Sequence, residues 1–460
     1  MKIVVLNGSP KGDISVTMQY VNYIAKKYPQ HQFQTENISQ RIKLIEKSPN
    51  EFARIIADIQ ATDGVLWAFP LYILLVHAHY KRFIELVFER GAQAAFAGKY
   101  AASLSTSIHF FDHTAHNYMH AICDDLGMRF VESFSPDMTD LLNEEGQLKT
   151  AQFGEHFLNA IQTQAPTARQ YGPLNWRAFQ YEPGPASAPA AAGGKKVVIL
   201  HDSTGPDTNL GRMVARCQAA LSGDVTVFNL HDIDIKASCQ GCLECGGNNV
   251  CAYEGKDGFI DFFRSQIMAA DILVYGGIIT DRYLSSLWKM FFDRSFFNTH
   301  TPVLGGKQVA FIISGPFSQL ENLREILTAF MEYQLANLVG FASDEFGTSQ
   351  EIDAVLDGLM RRTAGLSEQS YVQPASFLGV GGTRIFRDDI FGRLRIPFPA
   401  DHRAYTRLGF YKTFPQRNLG VTLLNTFVGP LLSIRRLRQG FNKVIKVQMV
   451  APLKKVVDKA

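Results

Sequence analysis

One α/β pattern is written twice along this chain, and the repeat sets the architecture. Residues 2–7 (KIVVLN) and 196–201 (KVVILH) both read as buried parallel strands, 194 residues apart. Further on, Asp63-Gly-Val-Leu aligns with Asp271-Ile-Leu-Val, Lys81 with Lys289, and Gly98-Lys99 with Gly306-Lys307, all 208 apart. Copy two has therefore gained fourteen residues between its first and central strands. In copy one, strands at about 2–7, 64–69 and 100–106 alternate with helices near 15–28, 50–60, 77–91 and 114–127. That alternation predicts a doubly wound α/β fold, a parallel sheet covered by helices on both faces. Such sheets bind ligands outside the carboxyl ends of their strands.

The gained residues coincide with Cys239-Gln-Gly-Cys242-Leu-Glu-Cys245-Gly-Gly-Asn-Asn-Val-Cys251, which holds four of the six cysteines in thirteen positions. Four thiols this close converge on one ion or cluster with little loop-closure cost. Gly241, Gly246 and Gly247 permit the left-handed turns that a tight sulfur cage needs. The C-x2-C-x2-C-x5-C spacing favours a [4Fe–4S] cluster over structural zinc, whose cysteine pairs usually stand further apart. Disulfides or free thiols are the third reading. Cys123 and Cys217 lie in helical patterns and read as small buried hydrophobes.

With 460 residues the chain has room for two or three domains. The expected division is copy one over 1–162, a linker over 163–194, copy two over 195–365 and a C-terminal segment over 366–460. The stretch Glu182-Pro-Gly-Pro-Ala-Ser-Ala-Pro-Ala-Ala-Ala-Gly-Gly194 is linker-like in composition. No run of eighteen apolar residues appears, so no spanning helix is expected. Met1-Lys-Ile-Val-Val runs straight into a strand without a signal-peptide pattern, which points to a cytoplasmic, reducing setting. The net charge of +3 hides an asymmetry: from Ser370 onward sixteen Lys and Arg face four Asp, about +12 against about −9 for the rest.

Three strand-end loops carry candidate binding residues. Asn7-Gly-Ser-Pro-Lys-Gly-Asp-Ile-Ser-Val-Thr17 follows the first strand and opens the first helix. The amides at a helix N-terminus and the macrodipole suit a phosphate, with Ser9, Lys11, Ser15 and Thr17 beside them. Pro70-Leu71-Tyr72 ends the next strand and presents a ring and backbone N–H groups to a flat ligand; Thr106-Ser107 ends the one after. The corresponding loops of copy two supply Ser203, Thr204, Thr208 and Asn209, then Tyr283, then Ser314 and Gly315.

The GSP-type loop, the Pro-x-Tyr loop followed by Lys81, and the Thr-Ser strand end resemble NAD(P)H-dependent FMN reductases of the flavodoxin-like class. Copy two resembles their iron–sulfur flavoprotein branch, through its cysteine spacing and Leu287-Trp-Lys289-Met-Phe-Phe-Asp293-Arg294. The resemblance covers about 1–160 and 195–345. It implies two tandem flavodoxin-like domains, FMN in one or both copies, and a cluster held by Cys239, Cys242, Cys245 and Cys251. It implies electron flow from NAD(P)H or a reduced carrier to a small-molecule or protein acceptor such as a quinone, another flavin or a carrier protein. Flavin chemistry of this kind needs no protein acid or base, and no catalytic side chain is singled out. Such folds commonly pair, so a homo-oligomer is expected. The rival reading is a non-catalytic scaffold or regulatory protein with a zinc-stapled loop.

Weaker features remain. His109, His113, His116 and His120 fall at helical spacing beside Asp112 and read first as an ordinary helix face. Arg387, Arg393, Arg395, Arg403, Arg407 and Arg417 lie among aromatics in the basic segment. Docking onto the acidic body is their default, and nucleic acid is not expected. The stretch from Phe427 through Val447 reads as an apolar–basic helix with Arg435, Arg436, Arg438, Lys443 and Lys446, suited to weak peripheral membrane contact.

Overall fold

The structure, a computed structural model, describes residues 1–431 and 434–458. Leu432 and Ser433, inside the apolar–basic stretch, and the side chains of Arg417, Lys443 and Lys446 lie outside that description.

Copy one runs β1 (Lys2–Asn7), α1 (Val16–Lys27), β2 (Gln32–Asn37), α2 (Ile38–Lys47), α3 (Pro49–Gln60), β3 (Gly64–Pro70), α4 (Ala78–Glu89), β4 (Tyr100–Thr106), α5 (Asp112–Asp125), β5 (Arg129–Phe134) and α6 (Glu144–Gln162). Copy two runs β6 (Ala190–His201), α7 (Asn209–Ala219), β7 (Leu221–Asn229), α8 (Phe259–Phe262), β8 (Ile272–Ile278), α9 (Ser286–Ser295), β9 (Gln308–Ser314), α10 (Glu321–Tyr333), β10 (Asn337–Ser343) and α11 (Ser349–Glu368). The sheets are ordered β2-β1-β3-β4-β5 and β7-β6-β8-β9-β10, with every pair parallel. Both are the flavodoxin-like 2-1-3-4-5 order, which places the switch point between the first and third strands.

The central strands β1, β3 and β4 are buried on both faces because helices cover both. On one face Met18, Val21 and Ile24 of α1 meet Phe153 and Phe157 of α6. The matching layer of copy two joins Leu210 and Met213 of α7 to Leu356 and Met360 of α11. The edge strands β2 (QFQTEN) and β5 (RFVESF) are polar and only half-buried, so apolar patterning does not reveal them.

The copies meet through α4 and α9, and the contacts obey an approximate twofold. The Ala78 N–H donates to Asp293 at 2.8 Å, and the Ser286 N–H donates to Glu85 at 2.6 Å. Lys81 donates to Glu85 one turn on and to Asp281 of the other copy. Lys289 donates to Asp293 one turn on and to the Tyr72 carbonyl of the other copy, at 2.7 Å for the latter. Ala78 and Ser286, Lys81 and Lys289, and Glu85 and Asp293 are each 208 apart, whereas the cross-copy partners of the two lysines, Asp281 and Tyr72, are not equivalent positions.

The expected linker behaves differently from its composition. Its last residues join β6, Ala190 and Ala191 pairing with Leu221 and Ser222 of β7. Small side chains leave the backbone free to pair there. Upstream, Tyr181 is buried in the core of copy two, its hydroxyl donating to Asp353. The segment is a strap laid along copy two.

The chain forms two compact units, Met1–His402 and Arg403–Ala460. In the first, α12 (Phe377–Phe391) packs on α10, with the Ser376 and Gly379 N–H groups donating to Glu332. Of the basic residues expected to dock on the acidic body, Arg393 does so, reaching both Asp137 oxygens at 2.6 and 2.7 Å. Helix α13 (Pro399–Leu408) crosses into the second unit, which holds α14 (Leu419–Leu431) and α15 (Arg435–Val457). Among the described residues no helix is long and apolar enough to cross a membrane.

Candidate active site

At the carboxyl ends of β1, β3 and β4 the three predicted loops of copy one close around a cavity of about 450 Å³. Ser9, Lys11, Ser15, Thr17, Pro70, Leu71, Tyr72, Thr106 and Ser107 all line it. Ser15 caps α1, its hydroxyl accepting from the Met18 N–H, so the free amides of the first turn face this end. The Thr17 and Thr106 hydroxyls bond at 2.7 Å, tying the phosphate loop to the end of β4.

The ring loop is held under strain. Tyr72 and Leu75 exchange two backbone hydrogen bonds at 2.9 and 3.1 Å, so Ile73 and Leu74 form the tip of a tight turn at φ 39° and 60°. Such a turn prefers Asn-Gly, and an aliphatic pair there costs on the order of 1–2 kcal/mol per residue. Leu243 (φ 65°) and Thr299 (φ 54°) also line the cavity, so left-handed non-glycine residues gather at this site.

Copy two completes the cavity. The cysteine loop, between β7 and α8, lies against the flavin-type loops of copy one: Gly241 sits under the Tyr72 hydroxyl and the Lys11 methylenes, where a Cβ has no room. The loop enters past two histidines at the start of α4, the buried capping residue His77 and the half-buried His79. The His77 Nδ1 accepts from the His79 N–H, which leaves Nε2–H to donate to the Cys239 carbonyl at 2.8 Å. His79 accepts the Ser238 N–H at 3.2 Å and faces the Ser39 carbonyl at 3.0 Å. Burial lowers both imidazoles to about 3, so both are neutral. Further along, Asn249 donates to Thr299 at 3.2 Å, and Gly246 backs onto the Pro397 carbonyl.

The remaining wall is aromatic. Phe296, His300, Phe330 and Tyr333 come from copy two, and Phe386 and Phe398 from the segment that follows it. His300 is fixed by Asp401, whose carboxylate accepts from its ring at 2.8 Å and its N–H at 3.1 Å. None of these residues, nor His77 and His79, was legible as part of the site. The His-x-His pattern after the ring loop was the one available signal.

The corresponding loops of copy two are spent on one another. The Ser203 hydroxyl bonds Thr208 at 2.6 Å, and Thr208 caps α7 through the Gly211 N–H. Asn209 donates to the Phe179 carbonyl of the strap and to Asp344. Asp344 also accepts from Ser314 at 2.7 Å and the Gly315 N–H at 2.8 Å. Trp176 of the strap covers Gly315, Thr204 is exposed, and Tyr283 is buried at the interface between the copies. Asp202, buried in the phosphate loop, is pushed up to about 6 by desolvation against the Ser285 hydroxyl and the Ile278 N–H.

The four cysteines share one loop, with Cys245 buried, Cys239 and Cys251 half-buried and Cys242 exposed. Burial pushes Cys239 and Cys245 up to about 12, and neighbouring thiols add to both. Gly241, Leu243 and Asn249 take left-handed backbone, so the loop turns back repeatedly. Among the described residues no three His, Cys, Asp or Glu are grouped as a metal site. The four-histidine stretch disperses: His116 is buried between Ser103 and Ser105, His113 meets Glu325, His109 meets Asp112, and His120 stacks on Phe130. Cys123 and Cys217 are buried in the two cores, as their patterns predict.

A flavodoxin-like sheet with a phosphate-type loop, a ring loop and a third strand-end loop around one cavity defines a flavin-nucleotide-binding protein. The sequence model of the NADPH-dependent FMN reductase family matches residues 1–136 and 195–347, and the chain belongs to that family, as an FMN-dependent oxidoreductase of the NAD(P)H type. The scaffold reading therefore does not describe the chain as a whole. No curated protein matches it. Among solved structures, an NADH:FMN oxidoreductase (EMOB) is 20% identical over 35% of this chain and 89% of its own, with a TM-score of 0.30. FerB, an NAD(P)H:(acceptor) oxidoreductase of Paracoccus denitrificans, is 18% identical over 35% and 97%, with a TM-score of 0.31. An FMN-dependent NADH-azoreductase of Bacillus anthracis is 13% identical over 36% and 99%, with a TM-score of 0.27.

Proposed function

We propose that this chain binds one FMN, in copy one, and passes electrons from NAD(P)H to a small quinone-type acceptor, with a [4Fe–4S] cluster held by Cys239, Cys242, Cys245 and Cys251. The observation that carries the reading is the placement of the cysteine loop of copy two against the ring and phosphate loops of copy one. In copy one the donor set fits the cofactor. The first turn of α1 with Ser9, Ser15, Thr17 and Lys11 receives the phosphate, and Pro70, Leu71, Tyr72, Thr106 and Ser107 flank the ring. When bound, FMN takes up a hydride and releases electrons singly or in pairs, and a cluster carries them singly. The chain's own work is to hold, orient and exclude water: the aromatic wall keeps the cavity apolar, and the neutral His77 and His79 fix the entry of the loop. Copy two acts as the partner half, and its intramolecular pairing fills the role for which a second subunit was expected.

The test is a visible spectrum with iron, zinc and flavin analysis on protein purified without oxygen, followed by NADPH or NADH and then a benzoquinone. The reading expects one FMN and about four irons per chain, bleaching by nicotinamide and recolouring by quinone. Two FMN per chain would refute the single site. Zinc in place of iron would make the loop a structural staple beside an active flavin. Failure of NAD(P)H to bleach the flavin would refute the electron path.

A further inference from the structure

Helix α14 is made of residues that ordinarily go inside. Its sequence, LGVTLLNTFVGPL, carries no charge, yet Leu419, Val421, Leu423, Leu424, Phe427 and Leu431 are between 48% and 71% exposed. Its polar members are Thr422, Asn425 and Thr426 alone, and exposed apolar surface of this extent marks an interaction face. Its 13 residues rise about 20 Å, short of the ~30 Å hydrocarbon thickness. Helix α15 follows with seven Lys and Arg and no acid between Arg435 and Val457. Arg435, Arg436 and Arg438 are exposed at its start, directly after the apolar helix.

We infer that α14 and α15 dock this protein on an anionic bilayer surface, the apolar helix seated among the acyl chains and the basic helix over the headgroups. Charge selects this occupant. A second copy of the same helices would bring seven like charges against seven, whereas anionic headgroups neutralise them. This docking is independent of the electron path proposed above.

The experiment is flotation of the full-length protein with vesicles of phosphatidylcholine alone and of phosphatidylcholine mixed with phosphatidylglycerol. Binding to the mixed vesicles at low salt should exceed binding to the neutral ones by at least about tenfold, and should collapse near ~1 M salt, where the Debye length falls to ~3 Å. The pair Leu424→Glu/Phe427→Glu and the pair Arg435→Glu/Arg436→Glu should each abolish flotation while the melting midpoint and FMN content stay unchanged. If the wild-type protein does not float with mixed vesicles at low salt, or floats equally with both pairs of changes, the inference is overturned. It is equally overturned if the protein ignores vesicles and self-associates through these residues, which would make a second copy the occupant.

Discussion

Lys81 of copy one stands 2.9 and 3.0 Å from the two carboxylate oxygens of Asp281 in copy two, and both residues are buried. Burial acts to lower the Lys81 pKa, but Asp281 and Glu85 outweigh it and the group is held charged. Replacing Lys81 by Met strands both carboxylates, and a buried pair broken from one side costs about 3–5 kcal/mol. The expected result is a markedly lower melting midpoint, partly restored by adding Asp281→Asn. An unchanged midpoint would mean that the copies are not joined here.

The two phosphate-type loops should respond differently to the same change. Ser9→Ala removes a hydroxyl facing the copy-one cavity, and a hydrogen bond to a charged group is worth about 1.5–3 kcal/mol. FMN affinity should fall by roughly tenfold or more. Ser203→Ala, in the self-satisfied loop of copy two, should leave FMN affinity unchanged. Fluorescence titration of apoprotein with FMN reads both.

Gly241 has φ +62° and no room for a Cβ beside the Tyr72 hydroxyl. Gly241→Ala therefore adds about 1 kcal/mol of backbone strain and pushes the cysteine loop off the ring loop. On the proposed reading, one change in copy two should weaken the FMN proposed for copy one and alter metal retention together, as read from the visible spectrum and metal content. Loss of metal alone would separate the two sites.

Asp202 gives a pH signature. Its folded pKa is raised to about 6 by burial, above the unfolded value of about 3.9. The folded state then binds the proton more tightly, so this group's contribution falls as pH rises from about 4 through about 6. Above that window the buried charge costs about 3 kcal/mol. Asp202→Asn should raise the melting midpoint at pH 8, with the gain fading towards pH 4. A gain that is flat with pH would refute the shift.

The fold was legible because its strongest signals are local. KIVVLN and KVVILH announce central strands, and the fixed offset between Lys81 and Lys289 announces the repeat. The edge strands escaped because half-exposed QFQTEN carries no apolar pattern, and the strap escaped because its Ala and Gly look like linker until Tyr181 is seen in a core. The copy-one loops were readable since each follows a strand end. The aromatic wall was not: His300 and Phe398 reach the cavity by tertiary packing, which no local spacing encodes. The copy-two loops read well one residue at a time, yet Asp344, far along the chain, claims Asn209, Ser314 and Gly315 together.

The twofold between α4 and α9 carries a consequence for inheritance. Two identical subunits must repeat every feature, so a loop added to one is added to both. Here the halves are written separately, and the cysteine loop and the strap each occur in one half only. The two copies are joined in one chain that dilution cannot part, and each half is free to diverge without dragging the other along.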